Sequence, residues 1–150
     1  MKTEKDYEEF LGLLNKHKVR YCIIGSYALA FHERPRYTKD MDVLIETSSD
    51  NAKKILTVLD DFGFGSLKLD EKDFSKDGNI IQLGYEPVRI DIMTSIKGLD
   101  FSVIWKNRVH GKYGKQIVNY IDRQRLIESK KLSNRTQDKA DLELLLYEKP

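Results

Sequence analysis

Two aspartates separated by one methionine are the residues with the clearest chemical potential. Asp40 and Asp42 begin the apolar run that ends at Ile45, and Asp91 lies inside a second apolar run, 88–93. Side chains alternate along a strand, so Asp40 and Asp42 should point to one side. Like charges on an apolar sheet need a compensating cation, and carboxylate oxygens suit a hard divalent ion. The aspartates therefore predict a Mg²⁺ or Mn²⁺ site, although Asp40 and Asp42 alone would also fit a strand-end or surface pair.

A Gly25-Ser26 pair ends the apolar run Tyr21–Ile24 and precedes Asp40 by fourteen residues. Glycine allows the backbone to turn tightly and to approach a phosphate closely. Ser26 would then stand at the start of the next helix, where amide groups and the helix dipole favour an anion. The alternative is an ordinary strand-to-helix turn with Ser26 as its cap.

The order of these motifs resembles the polymerase-beta superfamily of nucleotidyltransferases, in particular the small prokaryotic group with minimal nucleotidyltransferases and AbiEii-type toxins. The motifs that carry the resemblance are Gly25-Ser26, Arg36-x-Thr38-x-Asp40-x-Asp42, Asp91 and Arg135-x-x-Asp138-x-x-Asp141. The resemblance implies a polymerase-beta-like fold and metal-dependent transfer of an NMP group from an NTP such as ATP. The acceptor would be a hydroxyl of tRNA, of a protein or of a small molecule.

The resemblance also implies a role for each matching residue. Asp40, Asp42 and Asp91 would be catalytic and would bind the metal. Nucleotide contacts would come from Gly25, Ser26, Arg36, Thr38, Lys130 and Arg135, with Asp138 orienting Arg135. The sequence departs from the group's pattern at Gln137, where that pattern has lysine.

Four alternatives stay open at the level of sequence. The same chemistry could serve the toxin of a toxin–antitoxin pair, which needs an antitoxin protein as partner, or the chain could be a nucleotide-binding module without turnover. Arg36 could balance the aspartates instead of binding phosphate. The segment from Lys130 to Asp141 could be a salt-bridged closing helix with no part in the site.

The elements that must position these residues follow from hydrophobic spacing and turn signals. Helices are predicted at 4–17, 26–33, 49–62, 99–105, 122–133 and 136–148, and strands at 20–25, 41–46, 79–85, 88–94 and 116–120. The polar stretch 64–77 is predicted to be irregular or a short edge strand. Basic and aromatic residues alternate in 105–115, which fits a clamp for single-stranded nucleic acid or a solvated hairpin with one buried Trp. Together these elements predict an α+β domain with a small mixed sheet flanked by helices.

Composition sets the class of protein. The 150 residues are 40% hydrophobic and 33% charged, which predicts one globular domain over 1–150 and no association with a membrane. The single cysteine, Cys22, cannot form an internal disulfide and favours a cytoplasmic location. The net charge of +2 is uneven, with −3 over residues 1–100 and +5 over 101–150. A basic final third beside acidic metal ligands would suit a polyanionic substrate, and solvated helix faces would give the same balance.

Overall fold

A computed structural model describes residues 4–33, 40–85 and 87–147, which form a six-stranded sheet with helices packed on it. The helices are α1 (Lys5–Lys16), α2 (Gly25–His32), α3 (Ser49–Asp61), α4 (Glu71–Ser75), α5 (Phe101–Lys106), α6 (Arg123–Lys131) and α7 (Thr136–Leu146). The strands are β1 (Tyr21–Ile24), β2 (Asp40–Ile45), β3 (Ile80–Tyr85), β4 (Val88–Met93), β5 (Val109–Tyr113) and β6 (Gln116–Tyr120). None of the helices in this described part combines the length and the apolar composition needed to cross a membrane.

The sheet is mixed, with the strand order β3-β4-β2-β1-β6-β5. β2 runs parallel to β4 and antiparallel to β1, while β1 runs parallel to β6. The two edges are antiparallel hairpins, β3–β4 and β5–β6. This arrangement confirms the predicted α+β class with a small mixed sheet. It also places β2, the strand that starts with Asp40, between β1, which ends just before Gly25, and β4, which carries Asp91.

The core lies between the sheet and the apolar faces of α1 and α3. Every residue of β1 is buried, as the continuous apolar run predicted. α1 buries four residues at helical spacing: Tyr7, Phe10, Leu11 and Leu14. The Ser48 side chain accepts a hydrogen bond from the Asn51 amide and starts α3, as expected for an N-cap serine. These elements hold the middle of the sheet rigidly, which fixes the positions of the strand residues that face the other side.

Two segments differ from the sequence prediction. The stretch 64–77, expected to be irregular or an edge strand, contains a 3₁₀ turn at Gly65–Leu67 and the helix α4. The helix forms because Asp70 and Asp73 make a reciprocal capping box and Phe74 is fully buried. The basic and aromatic stretch 105–115 is mostly a hairpin, and it contributes the strand β5, which the pattern did not predict.

The aromatic residue of that stretch is engaged within the fold. Trp105 lies in α5 and is partly buried, and the Arg108 guanidinium carbon lies 3.7 Å from the centre of its ring. Such a cation–π contact stabilises the turn between α5 and β5. The hairpin interpretation of 105–115 is therefore the one that the structure supports.

Candidate active site

The parallel pairing of β2 with β4 sets the three aspartates beside one another. Asp42 lies opposite Asp91 in the register, and Asp40 lies opposite Arg89. Residues that face each other across neighbouring strands project from the same side of a sheet, so all three carboxylates share one face. Antiparallel pairing places Ile24, the residue before Gly25, on the other side of Asp42.

Asp42 carries a strongly perturbed carboxyl group. Burial, followed by the negative charges of Asp91 and Asp40, raises its pKa from the usual 3.8 to about 6. The positive charges of Arg89 and Lys130 lower the pKa of Asp42, but by less than burial and the two neighbouring aspartates raise it. A carboxyl that resists ionisation in this way is typical of a functional site, because no structural need explains crowding of like charges.

Asp91 is held by a residue that the sequence prediction missed. Arg89 donates from Nε to Oδ1 at 3.0 Å and from Nη2 to Oδ2 at 2.9 Å, so both oxygens of Asp91 are engaged. Asp91 is 7% exposed, and its hydrogen bonds raise the pKa of the Arg89 guanidinium above its usual value. The signal was present in the sequence, because Arg89 and Asp91 stand two residues apart on one strand and must share a face.

The backbone of Arg89 is fixed as firmly as its side chain. The Tyr7 hydroxyl donates to the carbonyl of Arg89 at 2.9 Å and accepts from its amide at 3.0 Å. Burial of that hydroxyl raises the pKa of Tyr7 to about 12, so it stays protonated and able to donate. α1 therefore anchors the strand that carries Asp91.

The carboxylate oxygens of Asp40, Asp42 and Asp91 are the candidate ligands for a divalent cation. Oδ1 of Asp40 is buried and has no hydrogen-bond partner among the described residues, and Asp42 is crowded by its acidic neighbours. Oxygen donors short of positive partners fit Mg²⁺ or Mn²⁺. Within residues 4–33, 40–85 and 87–147, however, no three acidic, histidine or cysteine side chains are grouped closely enough to hold a metal together. Asp40 and Asp42 thus fit the ion, while both oxygens of Asp91 are bound to Arg89.

The turn at Gly25 requires glycine for two reasons. Its φ of +68° lies in the left-handed region, and a Cβ there would lie 2.4 Å from Oδ2 of Asp42. α2 begins directly at this turn, with Ser26 as its second residue. The first amide groups of a helix lack partners within it and favour an anion. The structure thus brings the predicted phosphate turn into contact with Asp42.

A cavity of about 430 Å³ opens between the sheet and the two closing helices. Gly25 and Asp42 line it from the sheet, and Lys130 and Arg135 line it from α6 and from the turn before α7. Further lining residues, which the sequence prediction did not single out, include Ser95, Lys97, Ser129 and Asn134. Among the described residues, Ser26, Asp40 and Asp91 do not belong to the lining. Four of the predicted residues therefore meet around one cavity, and the remaining carboxylates lie at its edge on β2 and β4.

The contacts of the closing helices differ from the prediction. Lys130 donates to Asp138 at 2.7 Å and to Asp141 at 3.2 Å, and it is 8% exposed. Burial opposes ionisation of Asp138, yet hydrogen bonds from Lys130 and Ser133 outweigh it and lower the pKa. Arg135 makes a long ion pair with Asp138, with Nε 4.0 Å from the carboxylate and the side chain 79% exposed, and not the bidentate contact that was expected. The shorter, buried lysine reaches both acids, whereas Arg135 precedes α7 and extends into solvent.

Two predicted nucleotide contacts lie outside the described residues. Arg36 and Thr38 fall in 34–39, the segment that leads into Asp40. Their proposed roles stay predictions.

Comparisons with known proteins identify the fold. No protein-family model matches the chain, and no curated protein matches its sequence. Solved structures do match. The lincosamide antibiotic adenylyltransferase LnuA with lincomycin bound is similar over 95% of this chain and 96% of its own, with 16% identity and a TM-score of 0.56.

Two further structures support the same assignment. ANT(2'')-Ia in complex with adenylyl-2''-tobramycin matches over 93% of this chain and 84% of its own, with 10% identity and a TM-score of 0.57. An antigenic nucleotidyltransferase-like protein from Paracoccidioides brasiliensis matches over 93% and 74%, with 14% identity and a TM-score of 0.53. The chain therefore has the polymerase-beta-like nucleotidyltransferase fold that the sequence motifs predicted. None of these three structures is of a toxin, so they lend no support to the toxin alternative.

Proposed function

We propose that the chain, as one nucleotidyltransferase-like domain over 1–150, transfers an NMP group from an NTP to an acceptor hydroxyl with Mg²⁺ or Mn²⁺. The observation that carries the proposal is the cavity in which Asp42, beside Asp91, meets Gly25, Lys130 and Arg135. Carboxylates on one wall and cations on the other match the two charges of a metal–nucleotide complex. Fold alone does not assign chemistry, so the proposal rests on these side chains.

The residues of the cavity suggest how the nucleotide lies. The triphosphate would sit against the turn at Gly25, with Ser26 and the first amides of α2 as donors. Lys130 faces the cavity from a buried position and is held in place by Asp138 and Asp141, which leaves the third hydrogen of its ammonium group for a phosphate oxygen. Arg135, which is exposed at the rim, can fold over the bound phosphates. These contacts bind and orient the nucleotide before reaction.

The reaction itself forms one bond and breaks another. The acceptor oxygen forms a bond to the α-phosphorus, and the bond from that phosphorus to the bridging oxygen of the leaving pyrophosphate breaks. A bound divalent cation, held by Asp40 and Asp42 and completed by Asp91, would neutralise phosphate charge and favour ionisation of the acceptor hydroxyl. The proton of that hydroxyl is assigned to an oxygen of Asp91, which lies next to Asp42 across the β2–β4 pair.

We propose a small molecule as the acceptor. LnuA and ANT(2'')-Ia were seen with lincomycin and with adenylyl-2''-tobramycin, and their folds extend over nearly all of this chain. The tRNA and protein acceptors predicted from sequence become alternative outcomes of the same assay. Neither an antitoxin partner nor a turnover-free binding role has a specific observation in its favour. A cytoplasmic location remains part of the proposal, on the ground of the single cysteine.

The test is transfer of label from each α-³²P-labelled NTP in the presence of Mg²⁺ or Mn²⁺. Parallel reactions contain a panel of hydroxyl-bearing antibiotics and other small molecules, total cell RNA, or total cell protein. We expect label in the small-molecule fraction and none with Asp42→Asn. Asp50→Asn serves as the matched control, because Asp50 is 82% exposed on α3 and pairs with Lys54. Label in RNA or protein would reassign the acceptor, and no labelling in any fraction would contradict the proposed reaction.

A further inference from the structure

The third carboxylate of the site is already occupied by a cation that belongs to the chain. Asp91 accepts two hydrogen bonds from the Arg89 guanidinium, in the fork geometry that matches a carboxylate bidentately. Both oxygens of Asp91 therefore already carry a hydrogen bond from a cation of the chain itself. The three aspartates share a face, yet within the described residues they do not form a group of metal ligands.

We infer that Arg89 is a positioning residue that competes with the divalent cation for Asp91. In the metal-free protein it balances the charge of Asp91, and when the ion binds it releases that carboxylate. The inference rests on the proposed function, because it needs an ion at the site. A guanidinium and a divalent cation repel each other, and one carboxylate cannot give the same lone pairs to both.

The surroundings of Arg89 allow its side chain to move while its backbone stays. The Tyr7 hydroxyl holds both the amide and the carbonyl of Arg89, so the strand position is fixed. The side chain is 31% exposed, in contrast to the buried carboxylate that it binds. On β3 the residue opposite Arg89 is Gly84, which has no side chain to obstruct it. The guanidinium can therefore leave Asp91 towards the open edge of the sheet without disturbing the core.

The competition predicts opposite effects of one substitution on metal binding and on stability. Arg89→Gln removes the competing charge, so Mn²⁺ should bind more tightly by roughly tenfold, the scale of one charge-assisted hydrogen bond. The same change leaves Asp91 without its counter-ion, so the variant in EDTA should melt at a lower temperature than wild type. Saturating Mn²⁺ should reduce or reverse the difference in melting temperature between Arg89→Gln and wild type. A residue with a purely structural role would lower stability without raising metal affinity.

The experiment measures binding of Mn²⁺ alone to the full chain, by electron paramagnetic resonance of the free ion, with melting curves in EDTA and in Mn²⁺. Arg20→Gln is the matched control, because it removes the same charge from a 55% exposed side chain at the other end of β1. We expect its Mn²⁺ affinity to equal that of wild type. Arg89→Lys keeps the charge and loses the fork, so its affinity should fall between wild type and Arg89→Gln, and it provides the test if Arg89→Gln does not fold.

The outcomes separate the inference from the proposed function. Equal or weaker Mn²⁺ binding by the Arg89 variants, with nucleotidyl transfer by wild type intact, would overturn the inference alone. Absence of Mn²⁺ binding by wild type and by every variant, together with absence of transfer, would overturn both. Tighter binding by Arg89→Gln with an unchanged Arg20→Gln would establish the competition.

Discussion

Replacing Asp42 by asparagine should stabilise the metal-free protein at neutral and alkaline pH. Burial, followed by the charges of Asp91 and Asp40, raises the pKa of Asp42 to about 6. The folded state thus binds this proton more tightly than the unfolded chain does. The ionised carboxylate therefore destabilises the fold above about pH 6, and this penalty disappears as the pH falls below 3.8, the ordinary pKa of an aspartate in the unfolded chain.

The magnitude follows from the two pKa values. A rise from 3.8 to about 6 corresponds to about 3 kcal/mol at pH 8, since each unit is worth about 1.36 kcal/mol. At pH 4.5 the folded state is already protonated while the unfolded chain is mostly ionised, and the penalty shrinks to about 1 kcal/mol. Asparagine is neutral at every pH, so Asp42→Asn should gain up to about 3 kcal/mol at pH 8 and about a third of that at pH 4.5.

The assay is urea unfolding in EDTA at both pH values, with Asp50→Asn as the control. The control should change the free energy of unfolding by no more than about 0.5 kcal/mol at either pH, as expected for an exposed position. A destabilised Asp42→Asn at pH 8, or a gain of equal size at pH 8 and pH 4.5, would refute the reasoning. Destabilisation would mean that the Asp42 carboxylate is a structural partner in the fold, and an equal gain at both pH values would mean that the gain does not come from removing its ionisation.

Four further substitutions test other parts of the site. Gly25→Ala should lower the free energy of unfolding by at least about 1 kcal/mol in denaturant titrations, because its φ is +68° and the added Cβ meets Asp42. Ser26→Ala should raise the KM for NTP more than it lowers kcat in steady-state kinetics, and an unchanged KM would leave Ser26 with the role of a plain helix residue. Lys130→Met should cost about 3 kcal/mol in stability, because it strands two buried acids. Arg135→Ala should weaken nucleotide binding in a salt-dependent titration without altering the melting temperature.

The sequence predicted the parts of the site that depend on local patterns. Alternation along a strand placed Asp40 and Asp42 on one face, and the apolar runs around them located both strands within a residue or two. The turn at Gly25 was predicted from the change of an apolar strand into a helix. What the sequence could not supply was the neighbour of each strand. The parallel pairing that sets Asp42 opposite Asp91 joins segments almost fifty residues apart, and it depends on the packing of the whole sheet.

The errors have local physical causes as well. The segment 64–77 looked polar and irregular because its helix is only five residues long and depends on the caps of Asp70 and Asp73. β5 is a short strand with two exposed residues and a glycine at its centre, and it is stabilised by pairing with β6. The role of Arg89 depends on its contact with Asp91, two residues later on the same strand. In each case the local sequence allowed the observed structure, and contacts with distant residues determined whether it formed.

The two acidic clusters described above differ in how their negative charge is compensated. Asp138 and Asp141 share the buried cation Lys130, and the pKa of Asp138 falls as a result. Asp40, Asp42 and Asp91 have one described cation among them, Arg89, and the pKa of Asp42 rises. The closing helices show that this fold neutralises buried acids where their role is structural. The excess of negative charge at Asp40, Asp42 and Asp91 is the feature that supports the proposal of a divalent cation there, because the ion itself would supply the missing positive charge.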